Sequence, residues 1–252
     1  MKLKDKIAIV TGGSQGIGEA ICYAYAQEGA TVIVVNHKNP AKGQEVATKI
    51  NNEFDAVAKA YQCDITKPFE VDKLIQEVVT EFGTVDILVN NAGILIDKSF
   101  GKMTIEDWDK TMDVNLKSSF LMTKAVLPIM QQKKAGKIIF VASIAATHGF
   151  PNAVVYCASK GGMLMLAKSL AAEVAKDGIN VNVISPGNTA TAINQHLQNN
   201  PQFVENLKSI TPTGRAYMNA DEIAGSAVFL ASENSSAIYG LDLIIDDGVS
   251  IL

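Results

Sequence analysis

Ile7-Ala8-Ile9-Val10-Thr11-Gly12-Gly13-Ser14-Gln15-Gly16-Ile17-Gly18 decides the fold. Four apolar residues, three of them β-branched, predict a buried strand, and the glycines end it in a turn. From Gly16 to Glu28 the pattern changes to helical spacing. A strand that enters a helix through a glycine turn leaves backbone N–H groups unpaired at the helix N-terminus, where they suit a phosphate. The spacing is GxxxGxG, not GxGxxG, and no GK[ST] follows, so it is not a P-loop. Such a turn alone serves equally well as plain chain reversal; its place after the first strand and before a helix favours pyrophosphate binding.

The same alternation continues outward. β-Branched runs recur at Thr31–Val35, Ala56–Tyr61, Val85–Val89, Lys137–Val141, Asn180–Ile184 and Leu243–Ile245. Helical patterns fill the gaps at Pro40–Asn52, Pro68–Phe82, Ile105–Gln131, Ala153–Asp177 and Ala220–Ala231. Alternating strands and helices imply crossover connections and a parallel sheet. The strand runs are almost wholly apolar, as strands buried on both faces must be. The expected fold is therefore α/β: a Rossmann-like doubly wound parallel sheet of about seven strands with helices on both faces. No linker or repeat divides the chain, so residues 1–252 are expected to form one domain. The more polar stretch at about 188–219 follows a strand end and is expected to act as a substrate lid.

Composition narrows the function. Net charge is −4 over 252 residues, without a basic face for nucleic acid. Cys22, Cys63 and Cys157 are scattered and odd in number, which fits a reducing compartment. His37, His148 and His196 lack paired ligand spacing, so no metal is expected. No stretch is long enough for a membrane span and no signal-peptide pattern is present, so the expected location is cytoplasmic.

The chemistry lies further along. Tyr156 and Lys160 are four residues apart, about one helical turn, and Ser143 precedes Tyr156 by thirteen. A cation beside a phenol favours phenolate and lowers its pKa from ~10. A phenol tuned in that way can exchange a proton with a substrate oxygen. At the end of the second strand, Asn36 stands where dinucleotide folds place an acidic residue on the ribose, and His37 and Lys38 follow. The missing carboxylate favours NADP(H), with NAD(H) still possible. Asp64 and Ile65 follow the third strand, where the carboxylate suits an adenine amino group or a helix cap.

Together these motifs resemble the short-chain dehydrogenase/reductase family in its single-domain branch. The resemblance covers nearly the whole chain: Thr11–Gly18, Asp64, Asn90-Asn91-Ala92-Gly93, Asn115, Ser143, Tyr156/Lys160, and Pro186-Gly187 followed by Thr189 and Thr191. It implies an NAD(P)(H)-dependent oxidoreductase interconverting a secondary alcohol and a ketone. In it, Tyr156 is the general acid/base and Ser143 binds the reacting oxygen. Lys160 holds the nicotinamide ribose and lowers the phenol's pKa, and Asn115 completes a proton relay. Gly12, Ser14, Gln15, Gly16, Ile17 and Gly18 take the pyrophosphate, Asn91-Ala92-Gly93 close the coenzyme cleft, and Pro186–Thr191 fix the carboxamide. A homotetramer is also implied, with the long helices as contact surfaces. Implied substrates are a 3-oxoacyl thioester, a sugar or polyol, or a small ketone. The alternative is a dinucleotide-sensing binding protein without catalysis.

Two departures stand out. The family's Val-Asp-Gly-Gly near the C-terminus is Ile245-Asp246-Asp247-Gly248 here, and an arginine found in carrier-protein reductases is replaced by Ala172. Lys133, Lys134 and Lys137 remain as a candidate basic patch for an acidic carrier. The cleft walls are expected at Ile94–Phe100, Ala145–Pro151 and Asn188–Asn200, mixing apolar residues with Asp97, His148, Asn152 and Gln195.

Overall fold

The computed structural model describes residues 1–251. Seven strands alternate with helices: β1 Ile7–Thr11, α1 Gly16–Gln27, β2 Thr31–Asn36, α2 Pro40–Glu53, β3 Ala58–Gln62, α3 Pro68–Phe82 and β4 Ile87–Asn90. Then follow α4 Ile105–Met112, α5 Ser118–Lys133, β5 Gly136–Val141, α6 Val154–Val174 and β6 Ile179–Pro186. Three helices, α7 Gln195–Gln198, α8 Pro201–Ile210 and α9 Asp221–Ala231, precede β7 Asp242–Ile245. Helix starts follow local chemistry. Proline occupies the first turn of α2, α3 and α8, where its missing N–H costs no bond, and Asn39, Thr104 and Asn200 cap α2, α4 and α8.

All strands pair in parallel, in the order β3-β2-β1-β4-β5-β6-β7. Alternate residues of the inner strands feed two separate cores. Ala8, Val10, Val32 and Val34 pack under α1, α2 and α9, while Ile9, Ile33, Leu88 and Phe140 pack under α3, α5 and α6. This double burial explains the unbroken apolar runs. Within the first core, the buried Tyr25 hydroxyl donates to the Ala227 carbonyl oxygen at 3.1 Å, tying α1 to α9.

The order of strands reverses beside β1, between β1 and β4, and a crevice opens there at the carboxyl ends. The helix expected over Ile105–Gln131 is not uniform. Asp113–Lys117 forms a wide π turn between α4 and α5, and Asn115 lies in it. Cys22, Cys63 and Cys157 are free thiols. Among the described residues, no helix is long and apolar enough to cross a membrane.

Candidate active site

A cleft of about 1020 Å³ runs along the carboxyl ends of the strands. At its base is the glycine turn. Gly12 and Gly16 have φ of 64° and 56°, a left-handed conformation that side chains disfavour. A Cβ on Gly18 would overlap the Gly12 carbonyl oxygen, so α1 can start this close to the turn only without one. The turn is braced from β4: Asn91 Nδ2 donates to the Thr11 carbonyl oxygen at 2.9 Å. The N–H groups of Asn91 and Ala92 donate to Thr11 Oγ1, which donates in turn to the Val89 carbonyl oxygen. Gln15, the residue before α1, makes no side-chain cap bond. The first α1 amides thus have no side-chain partner, and the residues present fit a dinucleotide's pyrophosphate.

Farther along the rim, β2 delivers Asn36, His37 and Lys38, and α2 adds Lys42. The Asn36 side chain is tied to α2's start: its Nδ2 donates to the Asn39 carbonyl oxygen at 2.5 Å, and its Oδ1 packs against Gly43. Among the described residues, neither Lys38 nor Lys42 forms an ion pair with a carboxylate. Asp64 Oδ1 accepts from both the N–H and the hydroxyl of Thr66, and His37 Nε2 lies 4.0 Å from Asp64 Oδ2. Partial burial acts to raise the Asp64 carboxyl, but the Thr66 hydrogen bonds outweigh it and hold the group below its ordinary value.

Tyr156 and Lys160 lie on α6, and Ser143 sits at the end of β5. The Ser143 hydroxyl accepts from the Ala145 N–H at 3.1 Å and acts to lower the Tyr156 phenol. Lys160 is buried, and its Nζ donates to the Val141 carbonyl oxygen at 2.8 Å. Behind them Asn115 is fully buried. Its Oδ1 accepts from the Ile94 N–H at 2.8 Å, and its Nδ2 donates to the Ile94 carbonyl oxygen and to Ser159 Oγ, both at 3.0 Å. The π turn gives Asn115 the extra width to reach across to β4's continuation. Ser159 Oγ donates to the Tyr156 carbonyl oxygen at 2.7 Å, so the polar chain ties Ile94 to the helix that carries the phenol.

Beyond β6, Pro186, Gly187, Thr189 and Thr191 line the opposite wall. Thr191 touches the turn directly, since a Cβ on Gly16 would lie 3.1 Å from its methyl carbon. Residues 188–219 form a short helical turn, α7 and α8, which approach the same cleft through Leu197, Phe203, Leu207 and Ile210.

Known proteins follow the same plan. Residues 12–250 match the family model described as enoyl-(acyl carrier protein) reductase. The D-threitol dehydrogenase of Mycolicibacterium smegmatis is 39% identical over 99% of this chain and 95% of its own length. The 3-oxoacyl-[acyl-carrier-protein] reductase of Escherichia coli K12 is 37% identical over 99% of both chains. A Beutenbergia cavernae structure with NADP bound at low occupancy superposes with TM-score 0.94 at 30% identity, covering 100% of this chain and 99% of the other. The chain belongs to the short-chain dehydrogenase/reductase family.

In this short-chain dehydrogenase/reductase, every candidate residue except Gly18 and Asn115 lines the one cleft. Those two support it from behind, Gly18 by close packing and Asn115 by hydrogen bonds. Three expectations need correction. First, the phenol is not softened: burial pushes Tyr156 up to about 12, and the Ser143 hydrogen bond only partly offsets this. Lys160 makes its hydrogen bond to Val141, with its Nζ 5.7 Å from the Tyr156 ring centre, and its own burial brings it down to about 8. Second, the lysine patch is not a patch. Lys137 is buried and donates to Asn180 Oδ1 at 2.9 Å, Lys133 pairs with Asp86, and all three sit toward the amino end of β5, away from the cleft. Third, His148, Gln195 and Phe100 do not line the cleft; His148 Nδ1 contacts Thr147 Oγ1 at 2.9 Å.

Sequence reasoning missed Ser159, although a serine three residues past Tyr156 is on a neighbouring helical row. It also missed Phe203, Leu207 and Ile210, whose spacing within a polar segment was the available signal.

Proposed function

We propose that this enzyme interconverts a secondary alcohol and a ketone, with Tyr156 as general acid and base. One observation carries the reading: a tyrosine phenol and a serine hydroxyl line the same cleft as a glycine turn suited to a pyrophosphate. A bound nicotinamide dinucleotide supplies or accepts the hydride. Ser143 and Tyr156 then hold the substrate oxygen. With its pKa near 12, Tyr156 carries its proton at neutral pH and is ready to protonate the oxygen formed on reduction. Oxidation needs that proton gone, so it should be favoured by rising pH. Lys160 would bind the nicotinamide ribose hydroxyls, and Asn115 would hold α6 in register with the Asn91–Ile94 segment. Gly12, Ser14, Gln15, Gly16 and Ile17 would hold the pyrophosphate, and Asp64 and Ile65 the adenine end.

NADP(H) is the favoured coenzyme on this reading. His37, Lys38 and Lys42 border the adenosine end, and Asn36 leaves no carboxylate to repel a 2′-phosphate. Residues 1–252 would act as one catalytic domain with 188–219 as its lid. A cytoplasmic homotetramer is proposed as well. Exposed Phe120 and Met165 flank a shallow groove between α5 and α6, an apolar surface suited to a second copy. Light scattering that found only monomer would remove the tetramer.

The decisive experiment is Tyr156→Phe. Coenzyme affinity should hold within a few-fold while turnover falls roughly 10²–10⁴-fold. Unchanged turnover would reject the assignment. A wild-type protein that binds coenzyme and turns over no alcohol or ketone would instead point to a dinucleotide sensor.

A further inference from the structure

The two halves of the cleft are chemically unlike. The coenzyme half is lined by glycine amides and cationic side chains. The half beyond Tyr156 is walled by Leu95 and Phe150 on one side and by Leu197, Phe203, Leu207 and Ile210 on the other. The last three recur at i, i+4 and i+7, so α8 turns one continuous apolar face to the cleft. Apart from Pro201 and the half-buried Val204, the rest of the helix is polar, with Gln202, Glu205, Asn206, Lys208 and Ser209. The stripe is graded in depth: Leu207 is 7% exposed and Ile210 54%.

Polar groups on this half are few, and two are already engaged. Asn194 donates to the Thr189 carbonyl oxygen at 3.0 Å and accepts from the Thr191 N–H and from Gln198 Nε2, at 3.2 and 2.7 Å. Asp97 Oδ2 lies 3.4 Å from His196 Nε2. Asn152 and Asn188 remain, with Lys110 exposed at the mouth. A polyol or sugar acid carries a hydroxyl on almost every carbon. Each one buried without a partner costs roughly ten-fold in affinity. A hydrocarbon chain meets no such penalty here and gains roughly four-fold per buried methylene.

We infer that the substrate is a ketone or secondary alcohol bearing an apolar chain of several carbons, laid along the inner face of α8 with its oxygen at Ser143 and Tyr156. The inference rests on the oxidoreductase reading above and narrows its substrate.

The test is a series of 2-alkanones with four, six and eight carbons, reduced by the coenzyme-loaded enzyme. On this inference kcat/KM should rise roughly 250-fold from the shortest to the longest, and 2-octanol should be oxidised at least ten-fold more efficiently than D-threitol or gluconate. A flat series, or a preference for D-threitol, overturns it. Leu207→Asn and Ile210→Asn should each flatten the chain-length dependence and leave coenzyme KM within two-fold; an unchanged slope in both counts against the assigned wall. Measuring 3-oxooctanoyl-N-acetylcysteamine beside 2-octanone separates a thioester from a free ketone, and a preference for either over D-threitol supports the apolar chain. Should no compound turn over, the oxidoreductase reading fails by itself. Calorimetry of the same alkanones on the enzyme–coenzyme complex then decides the narrower point: Kd that tightens with chain length upholds it, and absent or length-independent binding refutes it.

Discussion

The floor of the cleft and its lid are built by opposite means. The floor is a web of hydrogen bonds between buried and half-buried groups, running from Thr11 through Asn91 and from Ile94 through Asn115 and Ser159 to Tyr156. The lid segment 191–210 is stitched mostly to itself. Among the described residues its one side-chain hydrogen bond to the opposite wall is His196 to Asp97, between partly exposed groups. Bond making needs fixed positions, which the floor supplies. Choice of substrate needs only a fitted surface, which a loosely held helix can provide. Changes to the floor should therefore alter turnover or stability, and changes to the lid should alter KM.

The largest effect should come from Ser143→Ala. Loss of this donor at the reacting oxygen should lower kcat roughly 100-fold with coenzyme affinity unchanged, checked by steady-state kinetics and coenzyme fluorescence. A fall confined to KM would break the contrast. Next is Asn115→Ala, which strips the part-buried Ile94 N–H and carbonyl groups and the Ser159 hydroxyl of a partner. It should cost about 3 kcal/mol in urea denaturation, where a lid variant such as Ile210→Asn should cost almost nothing. On the rim, Lys38→Glu and Lys42→Glu should each shift the NADPH/NADH ratio of kcat/KM roughly ten-fold toward NADH; no shift would remove the cationic rim from coenzyme selection.

A smaller effect concerns pH. Burial holds Lys160 near 8 in the fold, below the ordinary lysine value near ~10.4. Between those values the unfolded chain binds the proton more, so this residue makes stability rise with pH across that window. Lys160→Met should lose that rise relative to wild type in urea midpoints taken from pH 7 to 9.5. Smallest is Asp97→Asn, which weakens an exposed pair and should raise substrate KM roughly two- to five-fold, with kcat unchanged. A large kcat effect would mean the wall belongs to the floor.

The legible parts of the molecule were those fixed by periodicity and glycine. The inner parallel strands are buried and so apolar throughout, and with the less buried edge strands β3 and β7 all seven appeared in the sequence within a few residues. The Gly12–Gly18 turn and the Tyr156/Lys160 spacing likewise announced themselves, because each depends on near neighbours in the chain. What stayed hidden depends on distant packing. Lys137 looked like surface charge until Asn180 on the adjacent strand gave it a buried partner. The expected softening of Tyr156 by Lys160 came from spacing and from the family resemblance, neither of which reports the desolvation both groups undergo. The inward face of α8 was equally invisible, since its spacing does not say what it faces.

The wide turn at Asp113–Lys117 sets a limit on how this chain can vary. A π turn holds one residue more than regular α geometry would use. Removing a single residue there would restore an ordinary helix and rotate everything before it by about 100° relative to α5. Asn115 would then lose its grip on Ile94, although no side chain in the cleft had been altered. Shortening by one residue should thus be tolerated far less well here than in the loops, a constraint on chain length rather than on amino-acid identity.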